Sequence, residues 1–443
     1  MKIQLSEHFT YKKLLQFTGP TIIMMIFTSL YGIVDGLFVS NLVGKTAFAA
    51  VNLILPFPTI LSALGFMIGT GGSALVSKTM GEGDDEKANS LFSLMVYLTV
   101  ILGTAISVIG VAFVPQIAVL LGAQGEMVGN CVIYGRIYLL ALPLFMLQYV
   151  FQSFLVVAEK PKLGLAVTVA AGVANMILDA LFMAVFHWGV AGAALATAIS
   201  QAIGGGIPLV YFLMPNKSRL RLGKAKMDGK ALVKTCTNGS SELMTNISSN
   251  IVNILFNYQL MQFAGEDGVS AYGVIMYCNF IFTSVFLGYS IGSAPIVSFQ
   301  YGAENHTELK SLLKKSVWII GILSVVLLGF AELLAAPLSR IFVGYDSRLL
   351  ALTQRAFRIY SVMFLFCGIN IYGSSFFTAL NNGLVSAVIS FLRTLVFQIG
   401  CVLILPVLWE IDGIWLSVVA AELLSLLVTV FCIFRYRNRY HYL

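Results

Sequence analysis

Gly71-Gly72-Ser73-Ala74-Leu75-Val76-Ser77, with Gly81 four residues on, is answered later in the chain by Gly292-Ser293-Ala294-Pro295-Ile296-Val297-Ser298, with Gly302 four residues on. Other pairs keep nearly the same spacing. Gly192-Ala193-Ala194-Leu195 matches Gly413-Ile414-Trp415-Leu416, and Tyr138 and Phe154 match Tyr360 and Phe376 within one residue. A single short match would be chance. Several at a near-constant offset of about 221 residues, in a chain of 443, mark a duplicated unit.

The segments around these motifs are too apolar for water. Hydrophobic residues make up 58% of the chain and charged ones 11%, with a mean hydropathy of +0.89; a soluble domain carries roughly 25% charge. A soluble fold would leave that apolar excess exposed, so the bilayer is the natural solvent. Lipid leaves only helices and closed barrels as spanning structures. Barrel strands alternate apolar and polar residues, whereas runs such as 316–332 and 396–408 are nearly unbroken. At about 20 residues per span, the chain predicts twelve transmembrane helices. They fall at 14–40, 50–76, 91–114, 131–157, 163–186, 190–214, 235–263, 271–299, 316–336, 357–379, 385–408 and 414–434.

Each half holds six spans, an even number, so both halves enter the membrane in the same orientation. The repeat is therefore parallel, about an axis along the membrane normal. The expected architecture is an all-α polytopic membrane protein of two six-helix bundles. Residues 1–214 form one lobe, 215–234 a basic linker, and 235–443 the second lobe. Two facing bundles enclose a central cavity, as an alternating-access design requires.

A net charge of +7 in a soluble protein would suggest nucleic acid. Here the basic residues mark topology, and no nucleic-acid partner is expected. Lys2, Lys12, Lys13, Lys78, Lys87, Lys160, Lys162, Lys310, Lys314, Lys315, Arg435, Arg437 and Arg439 all fall on one side of a twelve-span chain, with the linker lysines and arginines from Lys217 to Lys234. The opposite loops are poorer, with Lys45, Arg340 and Arg348 the exceptions. The positive-inside rule puts both termini in the cytoplasm and the protein in the cell membrane. The linker reads as a solvated tether beside anionic lipid. A polar start and a long first apolar run argue against a cleavable signal peptide. Cys131, Cys236, Cys278, Cys367, Cys401 and Cys432 are scattered and read as small apolar residues.

Ionisable groups inside spans cost about 2.5–3.5 kcal/mol each on insertion scales and are functional by default. Asp35 lies in the first span and Asp179 in the fifth. Asn175 and Asp179, four residues apart, share a helix face; Thr197 and Tyr134 are positioned to join them. Two neighbouring buried carboxylates cannot both ionise cheaply, so the pair suits proton uptake. The oxygens of Asp35, Asn175, Asp179 and Thr197 suit Na⁺ equally, and a plain helix-to-helix clamp is the alternative. These groups fall on one half only. Glu242, near the start of the seventh span and close to the interface, and Glu422 are secondary candidates. Arg136 and Arg393 read as snorkelling near span ends, with Arg136 close enough to Tyr134 to tune it. Asn246, Asn250, Asn253 and Asn257 form an amide stripe that lines the cavity or packs between helices. Prolines in spans permit bending, and abundant Phe and Met offer an adaptable greasy surface. No phosphate-binding loop is present, so ATP is not the expected energy source. His8, His187, His306 and His441 lack metal-ligand spacing, and Asp84-Asp85-Glu86 reads as a solvated loop.

Over essentially its whole length the chain resembles the multidrug and toxic compound extrusion (MATE) transporters. The resemblance rests on the two sets of six spans, Gly19-Pro20, Asp35-Gly36, Ser77 to Gly81, Gly189 to Thr197, and Gly292 to Gly302. Span 7 and Pro295-Ile296-Val297-Ser298 are most similar to the bacterial MepA-type branch. The resemblance implies export of cationic amphipathic drugs or toxins in exchange for H⁺ or Na⁺, with no other cofactor, by a monomer. It also implies a cation site in the first lobe at Asp35, Asn175, Asp179 and Thr197, with Tyr134 beside it. Some branches carry acids midway along spans 7 and 10; here those regions hold Ser249, Asn250 and Gly368 to Ser375, so a second-lobe cation site is not expected. A flippase for lipid-linked sugars is the rival of similar fold, though few basic residues lie within spans to hold anionic headgroups. A membrane-embedded enzyme would need a clustered acidic or histidine motif, which the sequence lacks.

Overall fold

Helices begin where a short polar side chain meets the orphan amides of a first turn. Asp84 Oδ1 accepts from Lys87 N at 2.9 Å, Asp228 Oδ1 from Ala231 N at 3.0 Å, and Asn305 Oδ1 from Glu308 N at 3.1 Å. These caps lie outside the apolar windows, so the helices outrun the spans read from hydropathy. The third starts at Asp85 rather than 91, and the ninth at His306 rather than 316.

The computed structural model describes residues 3–443, apart from the side chain of Lys45. Among the described residues the helices are α1 (Tyr11–Leu42), α2 (Lys45–Ile54), α3 (Pro56–Gly81), α4 (Asp85–Leu120), α5 (Glu126–Leu140), α6 (Leu142–Val157), α7 (Pro161–Asp179) and α8 (Gly189–Leu213). The second half holds α9 (Gly229–Gly302), α10 (His306–Val343), α11 (Ser347–Ser361), α12 (Phe364–Ala379), α13 (Gly383–Phe391) and α14 (Gln398–Tyr440). π-Helical turns extend α7 over Ala180–Val185 and join α13 to α14 over Leu392–Phe397.

Twelve spans emerge once breaks and bends are counted. α9 is interrupted at Gly265 (φ 62°, ψ −148°), and α14 at Trp409 and Glu410, the latter at φ 49°. α2 runs into α3 as one span, α5 and α6 form one span bent by 52°, and α11 and α12 one bent by 46°. An L-residue chain cannot carry a right-handed helix through positive φ, so these residues are turns between neighbouring spans.

The turns themselves repeat. Gly44 and Gly265, Gly83 and Glu304, Glu159 and Asn381, and His187 and Glu410 all have positive φ. They follow the first, second, fourth and fifth span of each half, at the offset of the sequence motifs. Large apolar side chains such as Leu120 (85% exposed), Val407 (80%) and Leu333 (75%) face outward, as lipid contact requires.

The lobes close on each other at the end that carries both termini. A Cβ on Gly81 would lie 2.1 Å from Phe299 O, and one on Gly302 would lie 2.0 Å from Lys78 O. These two glycines occupy matching places in the repeat, so the contact is nearly two-fold symmetric. The first residues strap across it. Leu5 N donates to Glu159 Oε1 (3.0 Å), Gln300 Nε2 to Leu5 O (2.8 Å), and Phe9 N to Glu308 Oε1 (2.9 Å). Ser29 Oγ donating to Phe280 O (3.3 Å) marks a further tie, about halfway along α1.

Candidate functional site

Asp35 is held on α1, two turns before its end, and Asp179 closes α7 where the π-turn begins. Their carboxyl groups lie within hydrogen-bond reach of each other. Asp179 is fully buried, Asn175 is 2% exposed and Tyr134 3%; Asp35 and Thr197 are half-buried. Tyr134 neighbours Thr197, whose Oγ1 donates to Ala193 O at 3.0 Å within α8. Four helices of the first lobe thus bring together the five residues singled out from sequence.

The polar atoms of this cluster are undersupplied. Asp35 Oδ1, both carboxylate oxygens of Asp179 and Asn175 Nδ2 are buried without a hydrogen-bond partner. Buried polar groups in native proteins are normally satisfied, and an unpartnered carboxylate is costly. Two neighbouring acids with such oxygens are relieved by a proton bound between them or by a cation among hard oxygens. The simple clamp leaves those three carboxylate oxygens unexplained.

Several expectations shift. Arg136 is exposed on α5 and stands apart from the cluster. Glu242 lies well inside the protein rather than near an interface, because α9 starts at Gly229, before the apolar run. It lines a cavity at the seam of the lobes, with Ser73, Ser153, Ser290, Ser375 and Thr378 around it. The amide stripe is largely spent locally: Asn246 Nδ2 donates to Glu242 O (2.8 Å) and Asn250 Nδ2 to Asn246 O (2.9 Å). Asn253 Oδ1 accepts from the Tyr272 hydroxyl at 2.7 Å, and Asn257 is exposed.

The second lobe has its own charged centre, missed from sequence. Arg393 does not snorkel. Its Nε lies 2.9 and 3.0 Å from the two carboxylate oxygens of Glu422, with 14% and 4% of the side chains exposed. Asn370 Nδ2 donates to Glu422 Oε2 (2.8 Å), and Thr429 Oγ1 to Asn370 Oδ1 (3.1 Å). Opposite charges in two adjacent apolar runs were a usable signal, since pairing is the ordinary fate of buried charges. In both lobes the fifth span carries a π-turn at its ionisable residue, beside Asp179 and through Arg393.

Twelve spans in two repeated lobes, a cavity at their seam and an acid pair inside one lobe define a polytopic membrane transporter. The chain belongs to the MatE family: that family's model matches it twice, over residues 20–181 and 243–403, so each half is one repeat. The multidrug export protein MepA of Staphylococcus haemolyticus (strain JCSC1435) is 25% identical over 434 residues, 98% of this chain and 95% of that protein. MepA of Staphylococcus aureus (strain NCTC 8325 / PS 47) is 23% identical, covering 97% and 94%. Among solved structures, an outward-facing multidrug resistance MATE family transporter of the MOP superfamily aligns with a TM-score of 0.93 at 22% identity, over 99% of this chain and 98% of that one. A crystal structure of MATE in complex with MaL6 aligns at 0.92 and 22%, over 97% of each chain.

Proposed function

We propose that this chain is a multidrug exporter of the cell membrane, with both termini cytoplasmic, which expels cationic amphipathic compounds in exchange for H⁺ or Na⁺. The observation that carries the reading is the acid pair Asp35–Asp179, three of whose carboxylate oxygens are buried and unpartnered. The MepA relatives, by name multidrug export proteins, supply the cargo class. The seam is closed at the terminal end, which under the cytoplasmic assignment of that end is closure toward the cytoplasm.

In this scheme the outward-facing protein releases cargo as the acid pair takes up a cation. Neutralising the pair removes a buried repulsion and lets α1 repack around Asp35, with Pro20 as a bending point. The strap and the glycine contact then part, the cation leaves to the cytoplasm, and cargo enters. A ligand shifts such an equilibrium only through differential affinity for the two states; here the carboxylates provide it. The seam cavity, about 30 Å³ in this closed arrangement, holds no more than water; once the lobes part, Glu242 presents a carboxylate to cationic cargo. The flippase alternative is less well supported, because the buried Arg393 is already occupied by Glu422.

The experiment is ethidium transport in proteoliposomes under a pH gradient alone, then a Na⁺ gradient alone, for the native chain and for Asp35→Asn. One gradient should drive native transport, and the variant should lose that response while still binding ethidium. Native-like driven transport by Asp35→Asn would remove the acid pair from the coupling.

A further inference from the structure

A second pocket, of about 420 Å³, opens on the face of the first lobe away from the termini. A water needs about 10–15 Å³ of such space, so the pocket accommodates a hydrated ion. Thr46, Glu126, Asn130 and His187 are polar residues of its lining, with Val43 and Val190 beside them.

These residues lie outward of the acid pair on the same four helical segments. Val43 is eight residues beyond Asp35, and His187 eight beyond Asp179. Asn130 and Glu126 come four and eight residues before Tyr134, and Val190 seven before Thr197. Eight helical residues rise about 12 Å. Between pocket and acids lies a thin apolar layer: Val39 (2% exposed), Met183 (2%) and Ala193 (1%), which pack in one cluster with Tyr134 and Val190. Met183 sits in the π-turn Ala180–Val185. Such a turn is a frequent feature of functional sites, and its shift along the helix would swing Met183. The seam cavity, by contrast, is lined by none of the acid-pair residues.

We propose that this outer pocket is the loading port for the coupling cation, which reaches Asp35 and Asp179 through the Val39–Met183–Ala193 layer and not through the cavity used by cargo. The proposal rests on the coupling reading above and adds the route. Glu126 concentrates the cation at the mouth, and Met183 is the gate. Separate entrances keep a cationic drug from competing with the cation for access.

The test uses Ala191→Cys, a pocket-lining position, in right-side-out vesicles loaded with ethidium. Gradient-driven efflux is measured before and after labelling with a membrane-impermeant cationic thiol reagent added outside. The native chain, treated alike, accounts for its own cysteines, and Asp35→Asn runs in parallel. Labelling follows folding, so misfolding does not enter. At least a tenfold slower driven efflux is expected, with ethidium binding and ethidium–ethidium exchange unchanged. Unchanged driven efflux alongside a dead Asp35→Asn would overturn the port and spare the coupling. Loss of ethidium binding on labelling would make the pocket part of the cargo path and equally overturn it. Native-like driven efflux by Asp35→Asn would bring down the coupling reading itself.

Discussion

Arg393 and Glu422 form a buried ion pair between the eleventh and twelfth spans, with Nε at 2.9 and 3.0 Å from the two carboxylate oxygens. Removing one partner leaves an uncompensated buried charge, at a cost of about 3–5 kcal/mol, whereas replacing both by apolar residues is often neutral. Arg393→Met and Glu422→Met should each lower the thermal midpoint in detergent, and the double substitution should recover most of the loss. Singles as stable as the native chain would show that this pair carries no structural charge balance.

In the first lobe Tyr134 is buried (3% exposed) beside Thr197 and the acid pair, with its hydroxyl able to serve a cation held there. One neutral hydrogen bond is worth about 0.5–1.5 kcal/mol net. Tyr134→Phe should therefore weaken apparent affinity for the coupling cation by about three- to tenfold, with maximal ethidium efflux retained. The measurement is efflux rate against cation concentration; an unshifted half-saturation would separate Tyr134 from the site.

At the terminal end, a methyl on Gly302 would meet Lys78 O at 2.0 Å, inside any tolerated contact. Overpacking of this kind costs about 1–3 kcal/mol, and here the cost falls on the closed seam alone. Gly302→Ala should shift the protein toward the state open at that end. Ser77→Cys, fully buried in this structure, should then label at least several-fold faster from the cytoplasmic side. Equal labelling rates with Gly or Ala at 302 would contradict the symmetric glycine contact as a closure device.

Glu308 binds the strap twice, accepting from Phe9 N at 2.9 Å and lying 2.6 Å from His8 Nδ1. Hydrogen bonds to a charged group contribute about 1.5–3 kcal/mol. With Glu308→Ala, amide exchange at Phe9 should accelerate by at least tenfold while the core of α10 stays protected. Unchanged protection at Phe9 would mean that the burial of Leu5 and Phe9 alone holds the strap.

Much was legible in the sequence because lipid is an unforgiving solvent. Long apolar runs have one stable backbone solution, and that sets the helices and their count. The motif spacing from Gly71 to Gly292 disclosed the duplication, and the structure repeats it in its turns at Gly44 and Gly265. The cost of Asp35 and Asp179 in such runs singled them out before any contact was known. Helix ends were less legible: the caps at Asp84 and Asn305 lie in polar sequence, where hydropathy is silent.

What only the tertiary structure decided is which faces meet. Arg393 near a helix end reads as snorkelling until Glu422 is found on the neighbouring helix. Glu242 reads as interfacial until the true start of α9 is seen and the first lobe closes a cavity over it. The strap at Leu5 and Phe9 and the Gly81–Gly302 contact join residues hundreds of positions apart. Hydropathy and periodicity report each helix against its solvent, one residue at a time. Pairing depends on how helices pack within each bundle and how the two bundles dock, and that information resides in shape.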